Sequence, residues 1–239
     1  MAVDLPPPLA ELAAAPGETA LFFDVDGVLA PIVPRPEDAR VPDATRAELM
    51  RLADAYALVA CVSGRQSADA RRIVGLDALT YVGEHGLELE PEAEAWAARL
   101  AAFADDAAWP AEHKRLTLSF HWRTVEDEQA ALAVLERIAW DAHAAGFVPR
   151  WGRKVLEVRP PVHADKGTAV AHLLAMADVR RALYAGDDTT DLDAFRALAG
   201  LDVAVRIAVA SAEAPAELRE AADLVVGGPA DLLELLKRL

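Results

Sequence analysis

Two apolar runs in this chain each break off at a carboxylate, and that pattern constrains the fold more than anything else in it. Ala20-Leu21-Phe22-Phe23 ends at Asp24, and Leu183-Tyr184-Ala185 ends at Gly186-Asp187. A run that is apolar at every position predicts a strand buried on both faces, and such strands belong to parallel sheets covered by helices. In open α/β sheets ligands bind outside the carboxyl ends of the strands, so acidic residues placed there point into the expected site.

The rest of the chain follows the same rhythm at both ends. Strands are expected at 20–24, 58–62 and 80–82, with helices at 43–55, where Asp43 is the expected cap, and at 66–74. Later, helices at 166–177, 189–199, 214–221 and 230–239 alternate with strands at 181–185, 203–209 and 224–226. Strands alternating with helices of this length imply parallel βαβ units with helices on both faces of one sheet. The middle differs. A helix at 92–107 precedes a partly alternating strand at 116–122, a long helix at 126–145, and two short strands, 147–151 and 154–159, around Gly152-Arg153. A glycine turn between short strands suggests a hairpin. The expected class is therefore α/β: a doubly wound parallel-sheet core, residues 1–86 and 161–239, with an inserted α+β domain at 87–160.

Composition sets outer limits. The 239 residues suffice for a sizeable core, and 54% hydrophobic with 26% charged residues excludes a disordered or fibrous chain. A net charge of −15 disfavours nucleic acid and anionic membranes as partners and requires local cations for any anionic substrate. The single cysteine, Cys61, sits in the apolar run LVACV and reads as a core residue, with no disulfide framework or multi-thiolate metal site. The first twenty residues lack the basic start and apolar stretch of a signal peptide, and no run approaches about eighteen apolar residues. A cytoplasmic monomer is the expectation.

The chemistry lies in the acidic clusters. Asp24-Val25-Asp26-Gly27 alone could be an Asp-Gly turn. Asp187, Asp188 and Asp191 lie within five residues and repel one another. A helix cap at Asp188 or Thr189 would account for one of them. A hard divalent cation with oxygen ligands would account for the set, and Mg²⁺ takes one or two carboxylates plus waters and phosphate oxygens. Ser63, in Ser63-Gly64-Arg65 after the second strand, and Lys166, opening a helix, are individually bland. Beside two acidic strand ends they become candidate phosphate contacts.

Taken in order, Asp24-Val25-Asp26-Gly27, Ser63, Lys166 and Gly186-Asp187-Asp188 resemble the four motifs of the haloacid dehalogenase superfamily, and an insertion between the second and third resembles its C2 cap class. Finer features narrow this. Asp26-Gly27-Val28-Leu29-Ala30-Pro31-Ile32, Gly83-Glu84-His85-Gly86-Leu87-Glu88, Lys114 with Ser119-Phe120-His121-Trp122-Arg123, Gly152 to Pro160 and Gly186 to Asp191 look like the trehalose-6-phosphate phosphatase family. The departures are Val28 for the usual Thr, Trp122 for Tyr, Leu192 for Glu, and Glu84 before His85-Gly86.

The resemblance implies a Mg²⁺-dependent phosphatase acting on a small-molecule sugar phosphate, trehalose 6-phosphate first. Asp24 would be the nucleophile, forming an aspartyl-phosphate, and Asp26 the acid and base. Asp24, Asp187 and the main chain of Asp26 would ligate the metal, while Asp188 or Asp191 would orient water in its shell. Ser63 and Lys166 would hold phosphoryl oxygens. His85, Glu88, Lys114, His121, Arg123, Glu157 and Arg159 are the candidates for the sugar, carried by a lid that excludes water. Three rivals stand beside this. They are a phosphatase of another sugar or polyol phosphate, of glucosylglycerate or sucrose phosphate type; a phospho-accepting signalling domain, which would place its Asp at a later strand in about half this length; and a silent sugar-phosphate binder.

Overall fold

The computed structural model describes residues 5–123, 125–152, 154–210 and 215–239. The chain divides into two compact units, Met1–Gly86 with Ala164–Leu239, and Leu87–His163.

The first unit is built on six parallel strands. They are β1 (Thr19–Phe23), β2 (Leu58–Val62), β3 (Thr80–Val82), β8 (Arg181–Gly186), β9 (Val203–Val209) and β10 (Leu224–Val226), in the order β10-β9-β8-β1-β2-β3. Every residue of β1 is buried, as an uninterrupted apolar run demands of a central strand. The helices of this unit are α1 (Pro7–Ala13), α2 (Asp43–Ala55), α3 (Ser67–Val74), α7 (Lys166–Ala177), α8 (Asp191–Ala197), α9 (Ala216–Ala221) and α10 (Pro229–Leu236). Leu9 and Leu12 of α1, Leu49 and Leu52 of α2, and Leu232 and Leu236 of α10 join one core with Leu21 and Phe23 of β1. Their three- and four-residue spacings put one face of each helix on the sheet.

The strand order reverses at β1. From β1 the chain goes outward on one side through β2 and β3, then returns to start the other side at β8. Such a switch point opens a crevice at the carboxyl ends of the two strands that flank it. Here those are β1 and β8, paired in register from Thr19↔Arg181 to Phe23↔Ala185. Adjacent strands run about 4.8 Å apart, so groups that follow them are forced together however distant in sequence.

The second unit carries a four-stranded antiparallel sheet in the order β4-β5-β7-β6, from β4 (Glu112–His113), β5 (Leu118–His121), β6 (Val148–Gly152) and β7 (Val155–Arg159). Leu118 and Phe120 of β5 and Leu156 and Val158 of β7 pack on Leu135 and Ile138 of α6 (Glu128–Ala144), while α5 (Ala97–Asp106) contributes Leu100. The opposite sheet face carries the row Glu112, Ser119, Glu157 and Arg150, joined by cross-strand register.

Several local expectations need correction. The helix expected at 92–107 is two, α4 (Pro91–Glu94) and α5, parted at Ala95 and Trp96. Asp43 is the first residue of α2 and not its cap; Pro42 holds the cap position, so no side chain bonds there. The helix after β8 starts at Asp191, with Thr190 at its cap position and no side-chain cap bond, so neither Asp188 nor Thr189 caps it. Part of the hairpin turn, Arg153, lies outside the described residues. Cys61 is buried, and burial pushes its thiol well above the usual range. No helix among the described residues is long and apolar enough to cross a membrane.

Candidate active site

β1 delivers Asp24 to the switch point, and its amide donates to Ala185 O at 3.0 Å, carrying the β1–β8 pairing one step beyond the strand. The chain then turns at once: Leu29 and Ala30 amides return to Val25 O, and the Gly27 amide donates to Ala30 O at 2.8 Å. Gly27 has a φ of 75°, in the left-handed region open to glycine. A Cβ there would stand 2.0 Å from Asp187 Oδ2, so the second acidic loop lies directly over the first.

One carboxylate oxygen from each of Asp24, Asp187 and Asp191 lies within 4.8 Å of the other two. Lys166 faces them. Its Nζ donates to Asp24 Oδ2 and to Asp191 Oδ1, each at 2.7 Å, and the side chain is essentially inaccessible to solvent. The position is set by a capping box: Asp165 Oδ1 accepts from the Thr168 amide at 2.8 Å, and Thr168 Oγ1 accepts from the Asp165 amide at 3.0 Å, which makes Lys166 the first helical residue of α7. The positive end of a helix is a poor place for a cation. The partner carboxylates supply what the helix opposes.

The charges do not balance within this cluster. Burial pushes the Asp24 carboxyl up to about 7; Lys166 pulls it back, and Asp191 and Asp26 push it further. Burial and then the charges of Asp24 and Asp191 push Asp187 up to about 8. Burial alone would lower Lys166, but Asp191 and Asp24 outweigh it and hold the ammonium above its ordinary value. Three carboxylates about one ammonium therefore retain a proton unless a further cation joins them. Hard oxygen donors converging with unbalanced negative charge are what a divalent ion of the Mg²⁺ type requires, so the donor set fits the expected metal.

Asp191 does more than add charge. It is completely buried; Oδ1 also accepts from Tyr184 Oη at 2.7 Å, and Oδ2 accepts from the amides of Asp187 and Asp188 at 2.9 Å each. Asp188 stands apart, exposed, with Oδ1 on the Thr189 amide at 2.7 Å. Asp26 is likewise outside the carboxylate trio. Both of its oxygens accept from Arg65, at 2.6 and 2.8 Å, and Arg65 also donates to Asp69 at 2.8 Å.

Ser63 follows β2, is buried, and accepts from the Arg65 amide through Oγ at 3.2 Å. The turn after β3 is tied to this segment: the Glu84 amide donates to Arg65 O at 2.8 Å and the His85 amide to Ser63 O at 3.0 Å. Glu84, His85 and Gly86 all have positive φ, 48°, 54° and 94°. The His85 ring lies so close over Gly64 that a Cβ there would be 2.6 Å away.

The remaining expected sugar contacts belong to the second unit. Glu88 lies in the short 3-10 segment Glu84–Leu89 that leads into it. The Lys114 amide donates to Thr117 O at 3.0 Å, closing the turn between β4 and β5. His121 ends β5 with Nε2 at 2.8 Å from Glu112 Oε2, and Arg123 beyond it is exposed. Glu157 shares its sheet row with Glu112 and Arg150, and Arg159 is buried at the end of β7. Arg65, Tyr184 and Glu112 went without roles in the sequence. Arg65 had a signal, adjacency to Ser63; a tyrosine inside an apolar run had none.

The parallel sheet, with acidic loops at its switch point and Lys166 opening the helix that leads into β8, shares the fold of a haloacid dehalogenase-like hydrolase from Bacteroides thetaiotaomicron, with a TM-score of 0.62 at 13% identity over 92% of this chain and 98% of that one. Within that fold, the chain belongs to the trehalose-phosphatase family, whose sequence model matches residues 22–111 and 110–223. It is 38% identical over 215 residues to an uncharacterized glycosyl hydrolase of Mycobacterium tuberculosis (strain H37Rv), covering 78% of this chain and 16% of that protein. A trehalose-phosphate phosphatase of Mycobacterium marinum is 33% identical over 231 residues, covering 85% and 58%. The chain thus spans less than two thirds of these relatives' length. The C-terminal domain of the Candida albicans trehalose-6-phosphate phosphatase shares the fold, with a TM-score of 0.74 at 20% identity over 96% of this chain and 94% of that one.

Proposed function

We propose that this protein hydrolyses trehalose 6-phosphate to trehalose and phosphate, with Mg²⁺, through an aspartyl-phosphate on Asp24. The supporting observation is the buried ammonium of Lys166 set 2.7 Å from Asp24 Oδ2 at a switch point that also carries Asp187. A carboxylate approaching a phosphate dianion at ~3.5 Å meets a repulsion of about 10 kcal/mol at an effective dielectric of ~20. Attack needs cations of matching charge, and Lys166 is one. Mg²⁺, held by Asp24 and Asp187 with the main chain of Asp26, would supply the remaining positive charge.

Asp24 attacks phosphorus as the bond from phosphorus to the sugar oxygen breaks, and Asp26 gives that oxygen its proton. In the second half Asp26 takes a proton from the water that attacks phosphorus, releasing phosphate and restoring Asp24. Each Asp26 oxygen accepts one bond from Arg65, which holds the carboxyl in place and leaves a second lone pair on each oxygen for the proton. Ser63 and Lys166 hold phosphoryl oxygens while charge redistributes. Lys114, Arg123 and Glu157 are the first candidates for sugar recognition, followed by His85, Glu88, His121 and Arg159.

The departure at Trp122 bears little on the sugar, because this side chain is buried in the core of its own unit with its ring 5.7 Å from that of Trp151. That removes position 122 as an argument against trehalose 6-phosphate, and the choice over the glucosylglycerate and sucrose phosphates rests on the substrate panel. Phosphate release from a panel of sugar phosphates, with Mg²⁺ and with chelator, tests the reading. Preference for trehalose 6-phosphate is expected; equal turnover of several would end the trehalose assignment, and release by Asp24→Asn would end the mechanism.

A further inference from the structure

Tyr184 is the largest of the fully buried side chains among the described residues. It occupies β8, a central strand, where an apolar ring alone would fill the space, and a buried hydroxyl carries a desolvation cost unless it is bonded. This one is bonded to a single partner of consequence. Its Oη donates at 2.7 Å to Asp191 Oδ1, the oxygen that also accepts from Lys166 Nζ at 2.7 Å. Asp191 Oδ2 meanwhile accepts from the Asp187 and Asp188 amides. Four donors on two oxygens fix the carboxylate about its own bond, since rotation would break contacts on both sides. Without the hydroxyl, Oδ1 keeps only Lys166, whose long stem moves more easily than a ring.

The hydroxyl is itself placed by packing. The Tyr184 ring meets that of Phe195, on α8, edge to face, with centroids 6.0 Å apart and planes at 82°. The position of the hydroxyl therefore follows from how α8 seats on the sheet. α8 also begins with Asp191, so ring and carboxylate are located by the same helix.

We propose that Tyr184 is a positioning residue whose hydroxyl locks Asp191, so that one carboxylate aims Lys166 at Asp24 and holds the Asp187–Asp188 loop in place. The kinetic part rests on the hydrolysis reading above; the metal-binding part does not. A tyrosine that only filled the core would be replaceable by phenylalanine without functional effect, and that is the point of difference.

The experiment uses the full chain as wild type, Tyr184→Phe, Leu49→Ala and Asp24→Asn. Two quantities are read: kcat and KM for trehalose 6-phosphate, and the Mg²⁺ concentration at half-maximal rise of the thermal unfolding midpoint. Tyr184→Phe keeps the ring and is expected to unfold within a few degrees of wild type. Its kcat falls about 10- to 100-fold with KM within about twofold, as a group misplaced near reacting atoms produces. Its Mg²⁺ midpoint rises about threefold or more, because the amides of Asp187 and Asp188 lose a fixed acceptor. Leu49→Ala, in the core under α2 and away from the site, keeps the hydroxyl and its packing; it lowers the unfolding midpoint and leaves kcat near wild type. A wild-type kcat or a wild-type Mg²⁺ midpoint in Tyr184→Phe overturns the assignment. So does failure of Tyr184→Phe to fold, or an equal loss of kcat in Leu49→Ala, since either makes the role structural. If the wild type releases no phosphate, or Asp24→Asn still does, the hydrolysis reading falls, and the Mg²⁺ midpoint alone decides Tyr184.

Discussion

Asp187 lies against Gly27: a methyl group in place of the glycine hydrogen would stand 2.0 Å from Asp187 Oδ2. This ties the β1 loop to the β8 loop through one glycine, and it does so twice over, because φ at Gly27 is also 75°. Gly27→Ala must displace Asp187 and accept a left-handed alanine, which costs about 1–2 kcal/mol. The expected outcome is a folded protein, a few degrees less stable, with at least about a hundredfold loss of phosphate release. Its unfolding midpoint should no longer respond to Mg²⁺. A Gly27→Ala protein that keeps both its turnover and its Mg²⁺ response would show that the two loops are not coupled in this way.

Removing the ammonium tests the cluster from the other side. Lys166 is buried against Asp24 and Asp191, its Nζ 2.7 Å from one carboxylate oxygen of each. Lys166→Met keeps most of the side-chain volume and leaves buried carboxylates without their counter-charge, an effect that runs to about 3–5 kcal/mol. Urea unfolding at pH 7 should show that loss. Mg²⁺ should restore part of it by supplying positive charge to the same oxygens. Unchanged stability would mean that the carboxylates are neutralised without Lys166.

The pH dependence of the metal-free protein carries an unusual sign. Most native carboxylates titrate low, and their proteins lose stability as pH falls; Asp69, half-buried beside Arg65 and Arg72, is of that kind. Asp187 and Asp24 are the reverse, pushed up to about 8 and about 7 from an unfolded value of 3.8. Between these limits the folded chain holds protons that the unfolded chain has released. Their contribution is fully present below about pH 4 and is lost as pH rises through 7 and 8. Thermal midpoints measured without metal should therefore fall from pH 5.5 to pH 8, with Asp187→Asn flattening part of the slope. Saturating Mg²⁺ favours the ionised carboxylates and should flatten it in the native sequence too. A metal-free midpoint that rises over this window would contradict the retained proton.

The strand ends that carry Asp24 and Asp187 could be read from the sequence because an apolar run stopping at a carboxylate is a local pattern. The same holds for β2 and β3, whose bounds the runs around Cys61 and Tyr81 mark closely. What lay beyond reach depends on side chains meeting across the fold. Nothing local in Ser63-Gly64-Arg65 says that the guanidinium reaches Asp26, since that follows from β1 and β2 lying side by side with Phe23 opposite Cys61. Tyr184 reads as one more apolar residue of β8 until Asp191 is found beneath its hydroxyl. Helix α1 hides behind Pro6, Pro7 and Pro8, although proline is well tolerated in a first turn and Leu9 and Leu12 are both buried. β4, two exposed residues long, has no periodicity to read.

The second unit offers a test that separates recognition from chemistry. Glu157 lies on a sheet row with Glu112, Ser119 and Arg150, and Lys114 stands at the turn that joins β4 to β5. None of these is part of the carboxylate cluster of the first unit. If they hold the sugar, Glu157→Gln and Lys114→Ala remove contacts that a substrate without a sugar never makes. For trehalose 6-phosphate, kcat/KM should then fall about 10- to 100-fold in each variant, the loss of one hydrogen bond to a charged group being about 1.5–3 kcal/mol. For p-nitrophenyl phosphate, kcat/KM should stay within about twofold of wild type, because Asp24, Asp26 and Lys166 are untouched. Equal losses on both substrates would assign these residues to folding of their unit. No loss on either would move sugar recognition elsewhere, with Arg123, His121 and Arg159 the next positions to vary.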